Sequence, residues 1–218
     1  MNTGVVLVLG GARSGKSAWA ERQAAISGRP VLFVATAVPS DAEMAFRIAA
    51  HKATRPSGWR TVEEPLDLVG AVATNARPND LVLVDCLTVW LGNLLHVRTG
   101  GDLAAVDPER SERVEAEAVE TIQRLLAAVP DLDIELVVVS NEVGMGLVPP
   151  YPVGRVFRDA LGRVNCVTAA GAGSVVLMVA GLPVDVRRLS QAEPVSLGAA
   201  PKVDRDSQAV DITDSPVP

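Results

Sequence analysis

The sequence predicts an α/β fold, a mostly parallel sheet wound with helices on both faces. Runs rich in Val, Ile and Leu recur at Val5–Leu9, Val31–Thr36, Leu81–Asp85, Ile134–Ser140 and Val175–Ala180. They are nearly continuous apolar runs without in/out alternation, the pattern of strands buried on both faces. Longer helical stretches separate them, and strand–helix alternation of this kind is the mark of a doubly wound sheet.

Taken in order, Val5–Leu9 runs into a glycine loop, and a helix opens there over Lys16–Ser27. After the Val31–Thr36 strand, Asp41–Thr54 reads as a helix. Pro56 ends it, with the break near Thr54 or Arg55. A short strand fits near Trp59–Val62. Leu66–Asn75, Leu87–Val97, Pro108–Ala128 and Val156–Ala170 are the remaining helices. Residues 190–218 change character: Pro194, Pro201, Pro216 and Pro218, five acids against two bases, and no aromatic. They predict a disordered acidic tail, which leaves 1–189 as a single domain.

Composition narrows the function classes. The 218 residues are 48% apolar and 21% charged, with aromatics at 3%, so Val, Ala and Leu must fill the core. A net charge of −6 offers no basic field to nucleic acid or to an anionic membrane. Cys86 and Cys166 lie far apart and lack metal-ligand spacing, which argues against a disulfide scaffold or zinc module and fits a reducing, cytoplasmic setting. The apolar runs have strand length, well short of the roughly 20 residues of a spanning helix. The start of the chain has no basic segment or cleavage site of a secretory signal.

The sharpest motif is GGARSGKS at 10–17, which fits G-x-x-x-x-G-K-[ST] through Gly10, Gly15, Lys16 and Ser17. It follows a strand and opens a helix, the context that the motif requires. Gly10, Gly11 and Gly15 let the backbone turn its N–H groups around an anion, and the helix N-terminus adds its positive end. Lys16 reaches the β- and γ-phosphates, and the Ser17 hydroxyl ligates Mg²⁺. The chemistry implied is that of a nucleoside triphosphate. LVLVDCLT at 81–88 supplies the companion carboxylate, Asp85, at the sheet's C-terminal edge, where it binds magnesium or caps the following helix.

The second informative stretch is 41–59. On a helix, Glu43, Arg47, His51 and Arg55 share a stripe, with Lys52 beside it. Three cations around one imidazole suit phosphate handling and favour the neutral, nucleophilic imidazole. Taken by itself, His51 also reads as a surface histidine. His96, at the end of an apolar helix near a Gly-Gly turn, reads as structural.

At this point the chain resembles the bifunctional adenosylcobinamide kinase / adenosylcobinamide-phosphate guanylyltransferases of cobalamin biosynthesis. The resemblance spans about residues 5–187. It rests on GGARSGKS, FVATA at 33–37, EMAFRIAAHKATRP at 43–56, WRTVEEP at 59–65, LVDCLTVWLGNLL at 83–95, VVVSNEVGMGLVPPYPVGRVFRDALGRVNC at 137–166 and VVLMVAGLPV at 175–184. It implies a RecA-like P-loop protein that assembles as a homo-oligomer, a trimer in some members. It implies two reactions: phosphorylation of adenosylcobinamide by ATP or GTP, then transfer of GMP from GTP through a guanylyl-histidine to give adenosylcobinamide-GDP. The family's R-I-x-x-H-[KR]-x-x-R-P pattern falls on Arg47, Ile48, His51, Lys52, Arg55 and Pro56, which makes His51 the nucleophile. Its nucleotide contacts fall on Gly10, Gly11, Ala12, Arg13, Ser14, Gly15, Lys16 and Ser17, on Ala35, Thr36 and Ala37, on Lys52, Ala53, Thr54 and Arg55, and on Glu63 and Asp85. Asp85, Glu63 and Glu64 are the candidate bases for the kinase step. The 140–155 segment reads equally as a corrinoid contact or a subunit contact, and Arg155 and Arg158 bind phosphate or face solvent.

Two other classes share the phosphate loop: a small-metabolite kinase without guanylyl transfer, and a nucleotide-dependent switch or binding module. Against the switch, no Asn-Lys-x-Asp motif appears, and the D-x-x-G spacing of Asp67 and Gly70 falls inside an expected helix.

Overall fold

The computed structural model describes residues 4–39, 42–102 and 107–192. In chain order the elements are β1 (Val5–Gly10), α1 (Lys16–Ile26), β2 (Val31–Ala35), α2 (Ala42–Thr54), β3 (Arg60–Glu63), α3 (Leu68–Asn75) and β4 (Leu81–Asp85). They continue with α4 (Leu87–Thr99), α5 (Pro108–Leu132), β5 (Glu135–Val139), α6 (Pro152–Gly171), β6 (Ser174–Val179), β7 (Leu182–Asp185) and α7 (Val186–Ala192). One sheet runs β3-β2-β4-β5-β1-β6-β7. All its pairs are parallel except β6–β7. This is the mostly parallel, RecA-like arrangement that the sequence predicts, with β5 lying between the phosphate-loop strand β1 and the Asp85 strand β4.

The apolar runs are continuous because successive residues feed two cores. Leu7, Val34, Val84 and Val138 point into one, covered by α3, α4, α5 and α6. Val8, Phe33, Leu83 and Val139 point into the other, covered by Ala20 and Ala24 of α1. Trp90 of α4 is 1% exposed, and its indole Nε1 donates to Leu66 O at 2.8 Å. Truncating so large a buried side chain costs about 3–5 kcal/mol. Asp67 caps α3 by accepting from Gly70 N at 2.9 Å, which gives the D-x-x-G spacing a structural role. Asp107 does the same for α5 through Arg110 N at 2.7 Å.

The structure departs from expectation in four places. α5 continues through Pro130 to Leu132 instead of stopping at Ala128. α6 opens at Pro152 rather than Val156, with the proline in the first turn, where its missing N–H costs nothing. β7 and α7 were not expected, and α7 takes in residues 190–192. The disordered tail expected over 193–218 lies outside the described residues. No described helix is long and apolar enough to cross a membrane.

Candidate functional site

The loop between β1 and α1 is shaped by its glycines. Gly10 has φ 155°, and a Cβ there would stand 2.5 Å from Ser14 Oγ and 2.7 Å from Met178 O, so no side chain fits. Gly15 has φ 92° and occupies the cap position of α1. The loop is tied at several points. Ser14 N donates to Gly11 O at 3.3 Å, Glu142 N to Gly10 O at 3.0 Å, and Gly181 N to Ser14 O at 3.0 Å. The last bond brings the β6–β7 turn onto the loop. Lys16 is buried and folds back, its Nζ donating to Gly11 O at 2.8 Å. Burial pushes its ammonium below the usual lysine range, opposed by the nearby Asp85 carboxylate. Ala12 and Arg13 lie exposed at the loop tip.

Asp85 ends β4. The cap position of α4 belongs to Cys86, with no side-chain cap bond, so the alternative of Asp85 as the helix cap does not hold. Thr36 holds this corner together. Its buried Oγ1 donates to Cys86 O at 2.9 Å and accepts from Cys86 N at 2.8 Å, while its own N–H reaches Asp85 O at 3.2 Å. Burial and the adjoining Asp85 carboxylate push the Cys86 thiol up to about 11.

α2 closes the other side. A cavity of about 230 Å³ is lined by Ser17, Ala35, Ala37 and Asp85, together with Ile48 and Lys52 of α2, Arg55 just beyond its end and Glu63 of β3. The Arg55 guanidinium lies 3.7 Å from the centroid of Phe33, another lining residue. Phe33 stacks on Trp59 with centroids 6.3 Å apart. Among the described residues, Arg55 Nε and Nη1 are buried without a hydrogen-bond partner. Burial lowers the guanidinium's pKa, against the pull of Glu21, Asp85 and Glu63. Lys52 pairs with Glu63 across the rim.

Seven of the expected nucleotide residues thus converge on one cavity: Ser17, Ala35, Ala37, Lys52, Arg55, Glu63 and Asp85. Thr36 is not among them and serves the Asp85 corner from below. Ala53 is exposed on α2. The side chains of Arg47, His51 and Thr54 lie outside the described residues. The lining also includes Ile48 of the family pattern and Phe33, Cys86 and Val89, which the sequence did not single out as site residues. Phe33 stood within the FVATA segment, and Val89 lies one helical turn beyond Asp85.

Elsewhere, Glu64 is committed to its own turn, Oε1 accepting from Leu66 N and Asp67 N, each at 2.9 Å. Arg155 Nη1 donates to Pro149 O and Pro150 O at 3.0 and 2.9 Å, stapling the loop that precedes α6. Arg158 pairs with Asp159. The His96 carbonyl accepts from Gly100 N and Gly101 N at the C-terminal end of α4.

A family model described as cobinamide kinase / cobinamide phosphate guanyltransferase matches residues 6–186. The bifunctional adenosylcobalamin biosynthesis protein CobP of Pseudomonas aeruginosa is 43% identical over 83% of this chain and 96% of its own length. The bifunctional adenosylcobalamin biosynthesis protein CobU of Escherichia coli is 42% identical over 84% of this chain and 99% of its own length. The CobU protein of Salmonella typhimurium is likewise 42% identical, with the same coverage. With phosphate loop, Asp85 and the α2 cations gathered at one sheet edge, the chain belongs to the CobU family, cobinamide kinase / cobinamide phosphate guanyltransferase, and is an enzyme of cobalamin biosynthesis.

Proposed function

We propose that the single cleft between the phosphate loop, Asp85 and α2 carries both of the family's transfers, with His51 as the covalent carrier of GMP. The observation that supports this most directly is that Ser17 and Asp85 share a cavity with Lys52 and Arg55. Lys52 follows His51 directly on α2, and Arg55 lies four residues after His51, just past the end of the helix.

In the kinase step the hydroxyl oxygen of the cobinamide aminopropanol arm attacks the γ-phosphorus of ATP or GTP. A new O–P bond forms, the bond to the β-bridging oxygen breaks, and the nucleoside diphosphate leaves. The hydroxyl proton passes to a carboxylate on the cavity wall. Asp85 and Glu63 are both there, whereas Glu64 is occupied in its turn. In the guanylyl step an imidazole nitrogen of His51 attacks the α-phosphorus of GTP. An N–P bond forms and pyrophosphate leaves, its charge met by Lys16 and Arg55. A phosphate oxygen of cobinamide phosphate then attacks the same phosphorus, the N–P bond breaks, and the imidazole is restored.

Among the described residues, no three His, Cys, Asp or Glu side chains form a self-sufficient metal cage. Magnesium in nucleotide sites needs only one or two protein oxygens beside the phosphates. The Ser17 hydroxyl and Asp85 carboxylate are hard donors on one cavity, so they fit Mg²⁺. When bound, the ion supplies charge neutralisation on the transferring phosphates.

The test is covalent labelling. The protein is incubated with Mg²⁺ and α-labelled GTP, denatured and examined for label on the chain, then compared with γ-labelled GTP and with His51→Ala. Acid-labile label from the α position alone, lost in His51→Ala, is expected. No label, or label that survives the substitution, leaves a kinase without this carrier.

A further inference from the structure

A second cavity, of about 390 Å³, adjoins the nucleotide cleft. One wall is Val38, Pro65 and Leu66; the other is Val89, Asn93, His96 and Val97, which recur at helical spacing along one face of α4. Val89 lines both cavities and is the partition between them. We infer that this second cavity is the acceptor subsite. It seats the aminopropanol arm of cobinamide and the methyl-bearing ring edge from which the arm extends, with the remainder of the corrin ring outside the rim. The inference rests on the reading of the first cavity as the nucleotide cleft.

Phosphoryl transfer needs the acceptor oxygen in line with the phosphorus, about 3–3.5 Å away before reaction. An acceptor held in a cavity that shares a wall with the nucleotide cleft can meet this need. The larger groove of about 620 Å³ between α5 and α6 shares no lining residue with the cleft. Its Glu112, Glu115, Asp159, Arg155 and Arg163 also suit charged partners better than a corrin ring.

The chemistry of the second cavity matches the acceptor and not a triphosphate. Among the described residues no carboxylate, Lys or Arg lines it, so these walls offer nothing to neutralise phosphates. Val38 and Val97, 45% and 48% exposed, form an apolar rim. The Asn93 amide oxygen and the His96 imidazole supply polar groups for the carboxamide arms of a corrinoid.

The walls are also held in place before any ligand arrives. Asn93 Nδ2 donates to Thr36 O at 2.8 Å and to Pro65 O at 3.2 Å, joining the segments after β2 and β3 to α4. The Trp90 indole fixes Leu66 through its carbonyl. A preformed wall spares the ordering cost of binding.

Val38→Trp and Val97→Trp fill the cavity from opposite walls at exposed positions, and neither residue belongs to the nucleotide cleft. Three quantities are read: cobinamide binding by equilibrium dialysis, using the corrinoid's own visible absorption; KM for ATP in the kinase assay; and label from α-labelled GTP. Cobinamide Kd is expected to rise about tenfold or more in both variants, with KM for ATP and GTP labelling unchanged. Retained labelling also reports an intact fold. Unchanged cobinamide Kd in both variants overturns the inference. So does a parallel rise in KM for ATP, which would make the cavity the seat of the nucleobase. A rise seen instead with Leu147→Asp in the loop before α6, or with Ala116→Trp in the α5–α6 groove, moves the acceptor elsewhere. Because dialysis needs no turnover, loss of wild-type labelling would sink the His51 carrier and leave the acceptor subsite to be judged separately.

Discussion

The Arg55 guanidinium lies over the ring of Phe33, its central carbon 3.7 Å from the centroid, and so ties the chain at the end of α2 to the middle of β2. A cation on an aromatic face is worth about 0.5–2 kcal/mol. Nε and Nη1 remain buried without partners among the described residues, ready for an anion. Arg55→Lys keeps the charge but loses the guanidinium over the ring and its fork of donors. The expected result is GTP affinity weakened about tenfold or more by calorimetry, since hydrogen bonds to charged groups are worth about 1.5–3 kcal/mol. Unchanged affinity would reduce Arg55 to an anchor for α2.

Lys16 has opposite effects on stability and on binding. Burial lowers its pKa from the ordinary 10.5, so in that range the unfolded chain binds the proton more tightly than the folded one. Its contribution therefore makes stability rise with pH between the lowered value and 10.5. Nucleotide binding uses the ammonium and weakens over the same interval. Lys16→Met removes both dependences. It is expected to abolish GTP binding by calorimetry while leaving the neutral-pH melting temperature equal to or above that of the wild type. A fall of several degrees would show that the bond to Gly11 O outweighs the desolvation.

The two thiols should differ in reactivity. Cys166 is exposed, whereas Cys86 is half-buried beside Asp85 with its thiol raised to about 11. The thiolate is the nucleophile, so Cys86 stays inert at neutral pH. Iodoacetamide at pH 7.5 followed by peptide mass spectrometry should show Cys166 modified fully before Cys86 is touched. Equal rates would contradict the packing around Thr36.

Thr36→Val retains the shape of the side chain but removes both hydrogen bonds to the Cys86 backbone. A buried N–H and a buried carbonyl lose their partner, a cost of about 1–3 kcal/mol. The urea midpoint should fall with an unchanged slope. Because the same corner carries Asp85, kcat should fall more than nucleotide affinity. Wild-type stability in Thr36→Val would mean the corner is held by the Thr36 N–H to Asp85 O bond alone.

What the sequence revealed follows from how local each signal is. The buried strands declare themselves because both faces of the sheet are covered, and the phosphate loop because its fixed residues fall within eight positions, although Met178, Glu142 and Gly181 also hold it from far along the chain. β7 was invisible: LPVD is short and exposed, contains Pro183, and pairs through a two-residue turn at Ala180 and Gly181. Both turn residues have positive φ, but Ala180 is not one of the residues that usually announce such a turn. The start of α6 at Pro152 was missed because the glycines and prolines of 140–155 suggested irregular chain. In the site, Asp85 and the α2 cations were legible because their residue types carry charge chemistry. Phe33 and Val89 were not, because an apolar wall residue looks like any other core residue until the fold places it. The role of Thr36 depends on a partner fifty residues away.

β1 is the first strand in the chain, yet its neighbours in the sheet are Leu136–Val139 and Ser174–Met178. The loop that follows it is pinned by Gly181. During synthesis the N-terminal strand therefore waits, apolar, while some 130 residues are added before β5 can pair with it and some 170 before β6 can, roughly ten to thirty seconds in all at the usual rates of translation. Nucleotide cannot rescue the nascent chain in that interval, because the anion cradle is assembled last. A chaperone at the ribosome exit meets a bare hydrophobic strand, and mutations in the β6–β7 turn should register as folding delays before they register as lost activity.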